Sequence, residues 1–111
     1  MKTPSQARRL RIYLDESDRW QGRPLHQAVI EAAHEEHLAG ATVLQGLSGF
    51  GYKSHSDAQR RPRAGAGAPP IVIEIVDSAE NIERFLPRLD ELMSEGFVTF
   101  DDVQAVSYRA P

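Results

Sequence analysis

The chain has 111 residues, a length that suits one domain, and its 41% hydrophobic content is enough for a single core. It contains no cysteine, which excludes disulfide frameworks, thiolate catalysis and cysteine-ligated metal sites. The first residues lack the apolar segment of a signal peptide, and no stretch approaches the roughly 18 apolar residues of a membrane span. We therefore expect a cytoplasmic protein.

The net charge of −3 is unevenly distributed. Segment 52–69 contains four basic residues and one acidic residue, a balance of 4 − 1 = +3: Lys53, Arg60, Arg61, Arg63 and Asp57. The rest of the chain is acidic, which argues against non-specific binding to nucleic acid. The positive charge of segment 52–69 favours binding to an acidic partner or a phosphate. The alternative is a solvated loop with no binding role.

The first half of the chain predicts a strand, a helix and a second strand. Leu10–Leu14 alternates apolar and polar residues as a half-buried strand does. Apolar residues at helical spacing predict a helix over 24–38, with Pro24 at its first position and Gly40 as its C-cap. Thr42–Gln45 is predicted to be a short strand.

Glycines at 46, 49 and 51 follow this second strand. Gly49 and Gly51 permit positive φ and a close approach of main-chain N–H groups to an anion, with phosphate the obvious candidate. A β-bulge or a plain loop entry is the alternative. The 18 residues 52–69 have no apolar periodicity, and structureless loops of more than about 12–15 residues are usually functional or disordered.

The second half predicts a central strand, a helix and a last strand. Residues 71–76 form a β-branched stretch typical of a strand covered on both faces, and Glu74 in it reaches the sheet edge or pairs with a basic side chain. A helix follows over 79–94, with Asp77 or Ser78 as its N-cap. The last strand is 103–108, preceded by a short strand or extended connection at 97–100.

This order predicts an α+β fold of the ferredoxin-like type, β-α-β-β-α-β. It is an antiparallel sheet with both helices on one face and a long loop between strands 2 and 3. We expect a disordered tail at 1–7 and one domain at 8–109 that carries mobile loop 52–69. The other face of the sheet is apolar enough that we expect self-association to bury it.

The sequence offers little that supports catalysis or metal binding. His34 and His37 are three apart, whereas the zinc-protease pattern places two histidines four apart on a helix. The serines lack an identifiable base and acid, and the acidic residues 15, 16 and 18 fit a solvated turn better than a cation site. RNA-recognition domains of this fold stack bases on aromatic residues in the third strand, and 71–76 has none. We therefore expect a protein that is not an enzyme, has no metal and does not bind nucleic acid.

Several motifs together resemble the PII superfamily of trimeric signalling proteins, and above all the PII-like family long catalogued as a domain of unknown function. The resemblance covers about residues 8–109. It is carried by Leu10-Arg11-Ile12-Tyr13, Glu16-Ser17-Asp18, Gly22-Arg23-Pro24-Leu25, Gly40-Ala41-Thr42-Val43, Gly46-Leu47-Ser48-Gly49-Phe50-Gly51 and Val72-Ile73-Glu74-Ile75-Val76-Asp77.

The resemblance implies a homotrimer with adenine-nucleotide sites between subunits. AMP, ADP, ATP and cyclic AMP are the candidate ligands, and no cofactor is required. By position, Gly49, Phe50 and Gly51 line the nucleotide cleft, Tyr52 and Lys53 begin the mobile loop, and Arg109 contacts phosphate.

The loop of relatives docks on channels, transporters or enzymes, which assigns partner binding here to Arg60, Arg61 and Arg63. One departure concerns the ligand: relatives hold phosphates with a glycine- and lysine-rich loop before the last strand, whereas this chain has acidic residues within 95–102. That difference disfavours ATP and favours a mono- or diphosphate or another small anion. The alternative function is a structural adaptor for a membrane transporter or channel that needs no ligand.

Overall fold

The computed structural model describes residues 3–50 and 68–110, which fold into a four-stranded sheet, a small hairpin and two helices. In chain order the elements are β1 Ser5–Asp15, β2 Arg19–Trp20, β3 Arg23–Pro24, α1 Leu25–Glu35, β4 Thr42–Gln45, β5 Pro70–Asp77, α2 Ala79–Leu92 and β6 Phe97–Ala105. The sheet has the order β4-β5-β1-β6, and every neighbouring pair is antiparallel. The predicted ferredoxin-like fold is confirmed.

One face of the sheet packs against both helices and forms the core. Alternate residues of β1 and β5 point into it, and all are at most 4% exposed: Leu10, Ile12, Leu14, Ile71, Ile73 and Ile75. The helices add Leu25, Ala28, Val29, Ala32, Ala33, Ile82, Phe85, Leu89 and Leu92 to the same cluster. Full burial of one such large aliphatic or aromatic side chain stabilises the fold by about 1.5–3 kcal/mol, so this face fixes the sheet's register. We call it the covered face.

The other face, which we call the open face, is arranged in rows that cross the strands. The row formed by Leu44, Val72, Tyr13 and Phe97 is apolar and aromatic. The next row contains Glu74 and Arg11, joined by a hydrogen-bonded ion pair of 3.0 Å. The third contains Arg9 and Asp101, also paired at 3.0 Å through Nε. The expectation that Glu74 pairs with a basic side chain is confirmed.

Helix α1 ends earlier than predicted and without Gly40. Its last residue is Glu35, and His37 adopts a left-handed φ of 61°. The N–H of His37 donates to His34 O and the N–H of Leu38 donates to Ala33 O, both at 3.1 Å. These two bonds form a Schellman motif that satisfies the last carbonyls, so His37 terminates the helix where glycine is usual.

Helix α2 begins as predicted and ends two residues early, at Leu92. Ser78 is the N-cap, and its hydroxyl accepts a 3.1 Å hydrogen bond from Asn81 N. The adjacent Asp77 accepts from Ala39 N at 2.8 Å, Ser78 N at 2.7 Å and Asn81 Nδ2 at 3.0 Å. Asp77 therefore ties the connection after α1 to the start of α2.

Strands β1 and β6 are longer than predicted. β1 begins at Ser5, so the prediction of a disordered tail is wrong for residues 5–7. The prediction of a last strand at 103–108 is also wrong, because β6 is one strand from Phe97 to Ala105. It ends where its partner begins, since Ala105 pairs with Ser5.

The β2–β3 hairpin is an element that was not predicted from the sequence. Gln21 and Gly22 form its two-residue turn with φ of 49° and 80°. Positive φ at both central residues is the geometry of tight hairpin turns, and a glycine at the second position is a local signal for it. Trp20 from this hairpin packs against the core.

Candidate functional site

The segments that carry the candidate site meet at one end of the sheet. Gln45 ends β4 beside Ile71, Asp15 ends β1 beside Pro70, and Phe97 begins β6 beside Tyr13. The loops that leave these strand ends are therefore neighbours. We call this region the glycine-loop end.

Gly46 is required by a close contact rather than by positive φ. Its N–H donates a 2.8 Å hydrogen bond to Pro70 O, which extends the β4–β5 ladder by one step. A Cβ on Gly46 would lie 2.7 Å from Pro70 Cγ, closer than real side chains approach. Nearby, Glu16 N donates to Pro69 O at 3.0 Å. These contacts fix the chain on both sides of segment 51–67.

Gly49 and Phe50 follow in a loop with room around it. A Cβ on Gly49 would make only an ordinary contact of 3.5 Å with Pro70 Cγ, and its φ is outside the left-handed region. The expectation that positive φ at Gly49 opens an anion site is therefore wrong, although the absence of a side chain still leaves the backbone accessible. Phe50 is 62% exposed and so presents its ring to the surroundings.

Several predicted site residues lie outside the described residues. They are Gly51, Tyr52, Lys53 and the arginines assigned to partner binding, Arg60, Arg61 and Arg63. Their predicted roles remain predictions.

Arg109 is exposed and follows the opposite end of the sheet. β6 ends at Ala105 beside Ser5, whereas β4 ends in the row of Leu14. Ser5 and Leu14 are nine residues apart on β1, which separates the two strand ends by roughly 30 Å. The strands of one chain therefore deliver Gly49 and Arg109 to different ends of the molecule.

Two acidic residues assigned to the loop before the last strand lie within β6. Asp101 faces Arg9 on the open face, and Asp102 pairs with Arg8 at 3.3 Å on the covered side. The hydrogen bond from Arg9 lowers the pKa of Asp101. Because both carboxylates have cationic partners along the strand, the argument that they repel a triphosphate at the glycine-loop end is wrong, and of the three acidic residues in 95–102 only Glu95 remains at that end.

The loop between α2 and β6 contributes a further glycine. Gly96 has a φ of +142°, and a Cβ there would lie 2.4 Å from Met93 Cε and 3.4 Å from Tyr13 O. This glycine brings Glu95 close to the end of β1, where Asp15 and Glu16 also lie.

Two open hollows follow the seam between α2 and β6. The larger, about 400 Å³, is lined by Arg8, Glu83, Leu86, Phe100, Asp101 and Asp102. The smaller, about 220 Å³, is lined by Leu89, Asp90, Met93, Ser94, Glu95, Gly96 and Val98. Neither of these two hollows includes Gly49 or Phe50.

No group of three histidine, aspartate or glutamate side chains is placed to hold a metal ion within residues 3–50 and 68–110. In the same part of the chain, neither helix is long and apolar enough to cross a membrane.

Comparisons with known proteins place this architecture in a family. The family model DUF190, described as Uncharacterized ACR, COG1993, matches residues 7–105. A UPF0166 protein of Aquifex aeolicus (strain VF5) is 33% identical over 101 residues, which cover 87% of this chain and 90% of that protein. UPF0166 protein MJ1524 of Methanocaldococcus jannaschii is 33% identical over 97 residues, or 86% of this chain and 88% of that one.

Solved structures share the fold at lower identity. CPII from Thiomonas intermedia K12, described as a nitrogen regulatory PII-like protein bound to ADP, AMP and bicarbonate, has a TM-score of 0.67 and 16% identity over 95% of this chain and 100% of that one. A putative PII-like signaling protein from Thermus thermophilus has a TM-score of 0.65 and 17% identity, covering 95% and 94%. B. subtilis GlnK has a TM-score of 0.56 and 13% identity, covering 89% and 86%. The chain therefore belongs to the DUF190 family, and its fold is that of the PII-like proteins.

Proposed function

We propose that this chain is a cytoplasmic regulatory protein, not an enzyme, that assembles as a homotrimer and binds a small anionic ligand between copies. The ligand is an adenine nucleotide held at Gly49, Phe50, Gly51, Tyr52 and Lys53. Segment 52–69, with its excess of basic residues, acts on a partner protein such as a transporter, channel or enzyme. Binding changes the partner's affinity by favouring one state of that segment.

The separation of Gly49 from Arg109 is the observation that carries the proposal. A phosphate-binding arginine delivered to the far end of its own sheet serves a ligand at the glycine loop of another copy. The open face also has an apolar row at this same end, which gives copies a surface to bury.

The choice of an adenine nucleotide is supported by the exposed ring of Phe50, a surface on which a base stacks. It is also supported by the fold, since the CPII structure that shares it is described as bound to ADP, AMP and bicarbonate. Asp101 and Asp102 are paired with arginines, so they do not bar phosphate from the glycine-loop end. Glu95, Asp15 and Glu16 lie at that end, and we therefore expect AMP and ADP to bind more tightly than ATP.

Calorimetry on the full chain tests the ligand. We expect AMP or ADP to bind at micromolar to millimolar concentration, and Gly49→Ala and Arg109→Ala to weaken that binding. Among the described residues, a Cβ at position 49 makes only an ordinary contact with Pro70 and one at position 40 meets nothing within 4 Å, so Gly40→Ala is the matched control for Gly49→Ala. Absence of binding by AMP, ADP, ATP and cyclic AMP at millimolar concentration contradicts the nucleotide assignment.

Mixing the two variants tests whether the site is shared. Trimers that contain both Gly49→Ala and Arg109→Ala chains include some sites with a wild-type residue from each copy. We therefore expect the refolded mixture to recover part of the binding that each variant loses by itself. No recovery contradicts a site formed between copies.

The adaptor that needs no ligand remains the second candidate, because the basic residues of segment 52–69 suit an acidic partner whether or not a ligand is bound. Deletion of residues 54–68 separates the two functions once a partner has been isolated. A regulator loses a nucleotide-dependent change in partner binding. An adaptor loses its partner whether nucleotide is present or not.

A further inference from the structure

The larger of the two hollows lies between α2 and β6, away from the glycine-loop end. It measures about 400 Å³, and Arg8 in its wall is seven residues from Asp15 along β1, roughly 23 Å in a strand. Pockets that take up ligands begin at about 300 Å³, so this hollow has room for a side chain of another molecule. We call it the Phe100 hollow.

Two side chains give the Phe100 hollow an apolar lining. Phe100 of β6 lies in the row of Leu10 on the covered side and is 49% exposed, and Leu86 of α2 is half-buried. Among the strands, α2 packs mainly on β1 and β5, which leaves this part of β6 accessible. An exposed aromatic ring attracts a cation to its π face and offers a flat surface to a planar group.

The charged side chains of the Phe100 hollow leave it negative. Arg8 donates from Nη1 to Glu83 at 3.2 Å and from Nε to Asp102 at 3.3 Å, so one guanidinium is shared by two carboxylates, a balance of 1 − 2 = −1. Within residues 3–50 and 68–110, Arg8 is the one cation paired with either carboxylate. Their side chains are 65% and 76% exposed. Asp101 adds no net charge, because Arg9 pairs with it on the open face.

We propose that the Phe100 hollow binds an arginine side chain from a basic segment of a partner protein. The guanidinium stacks on the ring of Phe100 and donates hydrogen bonds to Asp102 and Glu83. The aliphatic stem of the same arginine contacts Leu86. Arginine suits both kinds of wall, because its guanidinium is planar, stacks on aromatic rings and binds carboxylates through a fork of donors. Neither the nucleotide nor segment 52–69 takes part, so this site goes beyond the proposed function.

Charge and shape disfavour the other classes of occupant. A phosphate or an acidic peptide meets two carboxylates against one guanidinium. A purely apolar peptide removes Glu83 and Asp102 from water without giving them a new partner, and burying charges without partners is costly. A lysine side chain supplies the charge but neither the planar surface nor the fork of donors, so we expect it to bind less tightly than arginine.

Fluorescence anisotropy with the full chain tests the proposal. The probe is a rhodamine-labelled peptide of three arginines that alternate with glycines. Two control peptides with the same label replace every arginine with lysine or with citrulline, which keeps the shape and removes the charge. We expect the arginine peptide to bind at micromolar to millimolar concentration, the lysine peptide about threefold more weakly, and the citrulline peptide not at all. Equal binding of the arginine and citrulline peptides, or no binding of the arginine peptide at millimolar concentration, overturns the proposal.

Two substitutions separate the charge from the ring. Asp102→Asn keeps the size of the side chain and should weaken the arginine peptide about fivefold or more. Phe100→Leu keeps an apolar wall but removes the ring, so it should reduce the preference for arginine over lysine. Glu91→Gln is the matched control, because it removes the same charge from an exposed position of α2 outside the hollow and should change the affinity less than about twofold. An effect of Glu91→Gln as large as that of Asp102→Asn contradicts a defined site.

Two rival occupants come from this chain itself. If Arg60, Arg61 and Arg63 fill the hollow, deletion of residues 54–68 should raise the affinity for the arginine peptide about tenfold, because a tethered competitor is removed. We expect a change below about threefold. If a second copy fills the hollow, Asp102→Asn and Phe100→Leu should lower the mass in solution, whereas we expect the mass of the wild-type chain. Either rival result overturns the proposal.

Amide NMR spectra locate the bound peptide on the full chain. We expect the largest shifts at Arg8, Glu83 and residues 100–102. A failure of nucleotide binding in calorimetry leaves this site intact, and a failure of peptide binding leaves the nucleotide site intact, so the two proposals fail separately. Largest shifts at the glycine-loop end, where Asp15 and Glu16 lie, overturn the Phe100 hollow as the arginine site.

Discussion

The covered and open faces of the sheet are stabilised by different interactions. On β1, Leu10 and Ile12 point to the helices and are fully buried, whereas Arg9 and Arg11 point to the open face. The covered face is held by apolar volume. The open face pairs each arginine with a carboxylate on a neighbouring strand, Asp101 or Glu74.

This difference shows where a second copy gains free energy. The charges of the open face already have partners within the chain, so another copy need not supply counter-charges. Burying such pairs brings a desolvation cost that their mutual attraction only partly offsets. The apolar row of Leu44, Val72, Tyr13 and Phe97 has no such cost, and we expect contact between copies to centre on it.

The largest effect should come from the covered face. Ile73→Ala removes a fully buried side chain and should lower the free energy of unfolding by about 2–5 kcal/mol. Val72→Ala, one residue away on the open face, is the matched control and should cost less at low protein concentration. Urea denaturation measures both.

The dependence of stability on protein concentration distinguishes Val72→Ala from Ile73→Ala further. If copies pack on the open face, the cost of Val72→Ala should rise with concentration, because the side chain is then buried between chains. The cost of Ile73→Ala should change little. Costs that respond equally to concentration contradict the distinction between the faces.

Substitutions at Asp77 and Asp101 compare the two regions, because Asp77 lies in the helix layer and Asp101 lies on the open face. Burial raises the pKa of Asp77, but hydrogen bonds from Ala39, Asn81 and Ser78 outweigh it and the pKa is lowered. Asp77→Asn should cost about 1–2 kcal/mol at neutral pH, because backbone N–H groups lose a charged acceptor. Asp101→Asn should cost less, since its partner Arg9 can turn to water.

The pH dependence of Asp77 has a definite sign. A carboxylate with a lowered folded pKa stabilises the protein fully above its unfolded pKa of about 3.9, and that contribution is lost as the pH falls through the folded value. The difference between wild type and Asp77→Asn should therefore be constant near neutral pH and shrink below about pH 4. A difference that grows in acid contradicts this role. Thermal melts across pH measure it.

The Arg11–Glu74 pair tests how much the open face depends on its charges. Arg11→Met leaves Glu74 without its cation and should cost about 1 kcal/mol, as partly exposed pairs do. The double variant Arg11→Met, Glu74→Met should recover that loss, since both charges are then absent. In solution mass measurements the double variant should remain as associated as wild type or more so. A double variant less stable than Arg11→Met contradicts the view that the pair contributes little.

The elements that are well predicted from sequence are those whose signal is local. The alternation in Leu10–Leu14, the stretch 71–76 and the capping serine at 78 each involve neighbours along the chain. The prediction divides β6 in two because Asp101 and Asp102 are typical of turns. Their partners, Arg9 and Arg8, are more than ninety residues away, so only the folded sheet shows why they are tolerated in a strand.

The candidate site is less well predicted for the same reason. The glycines at 46 and 49 are identified from their spacing, but the cause at Gly46 is the ring of Pro70, across the loop. The position of Arg109 depends on how far β6 extends beside β1. The spacing of glycines along the chain therefore identifies the glycine loop. Strand pairing determines which residues of one chain lie near that loop.

The smallest effect concerns a strained residue in the helix layer. His37 ends α1 with a φ of 61°, which costs a residue with a Cβ more than it costs glycine. His37→Gly should raise the free energy of unfolding by about 0.5–1 kcal/mol, since the Schellman bonds from His37 N and Leu38 N do not need the side chain. Gly40→Ala tests the same connection without strain and should change stability little. If His37→Gly destabilises the chain, the imidazole itself holds the end of α1, and the helix layer depends on a polar contact as the open face does.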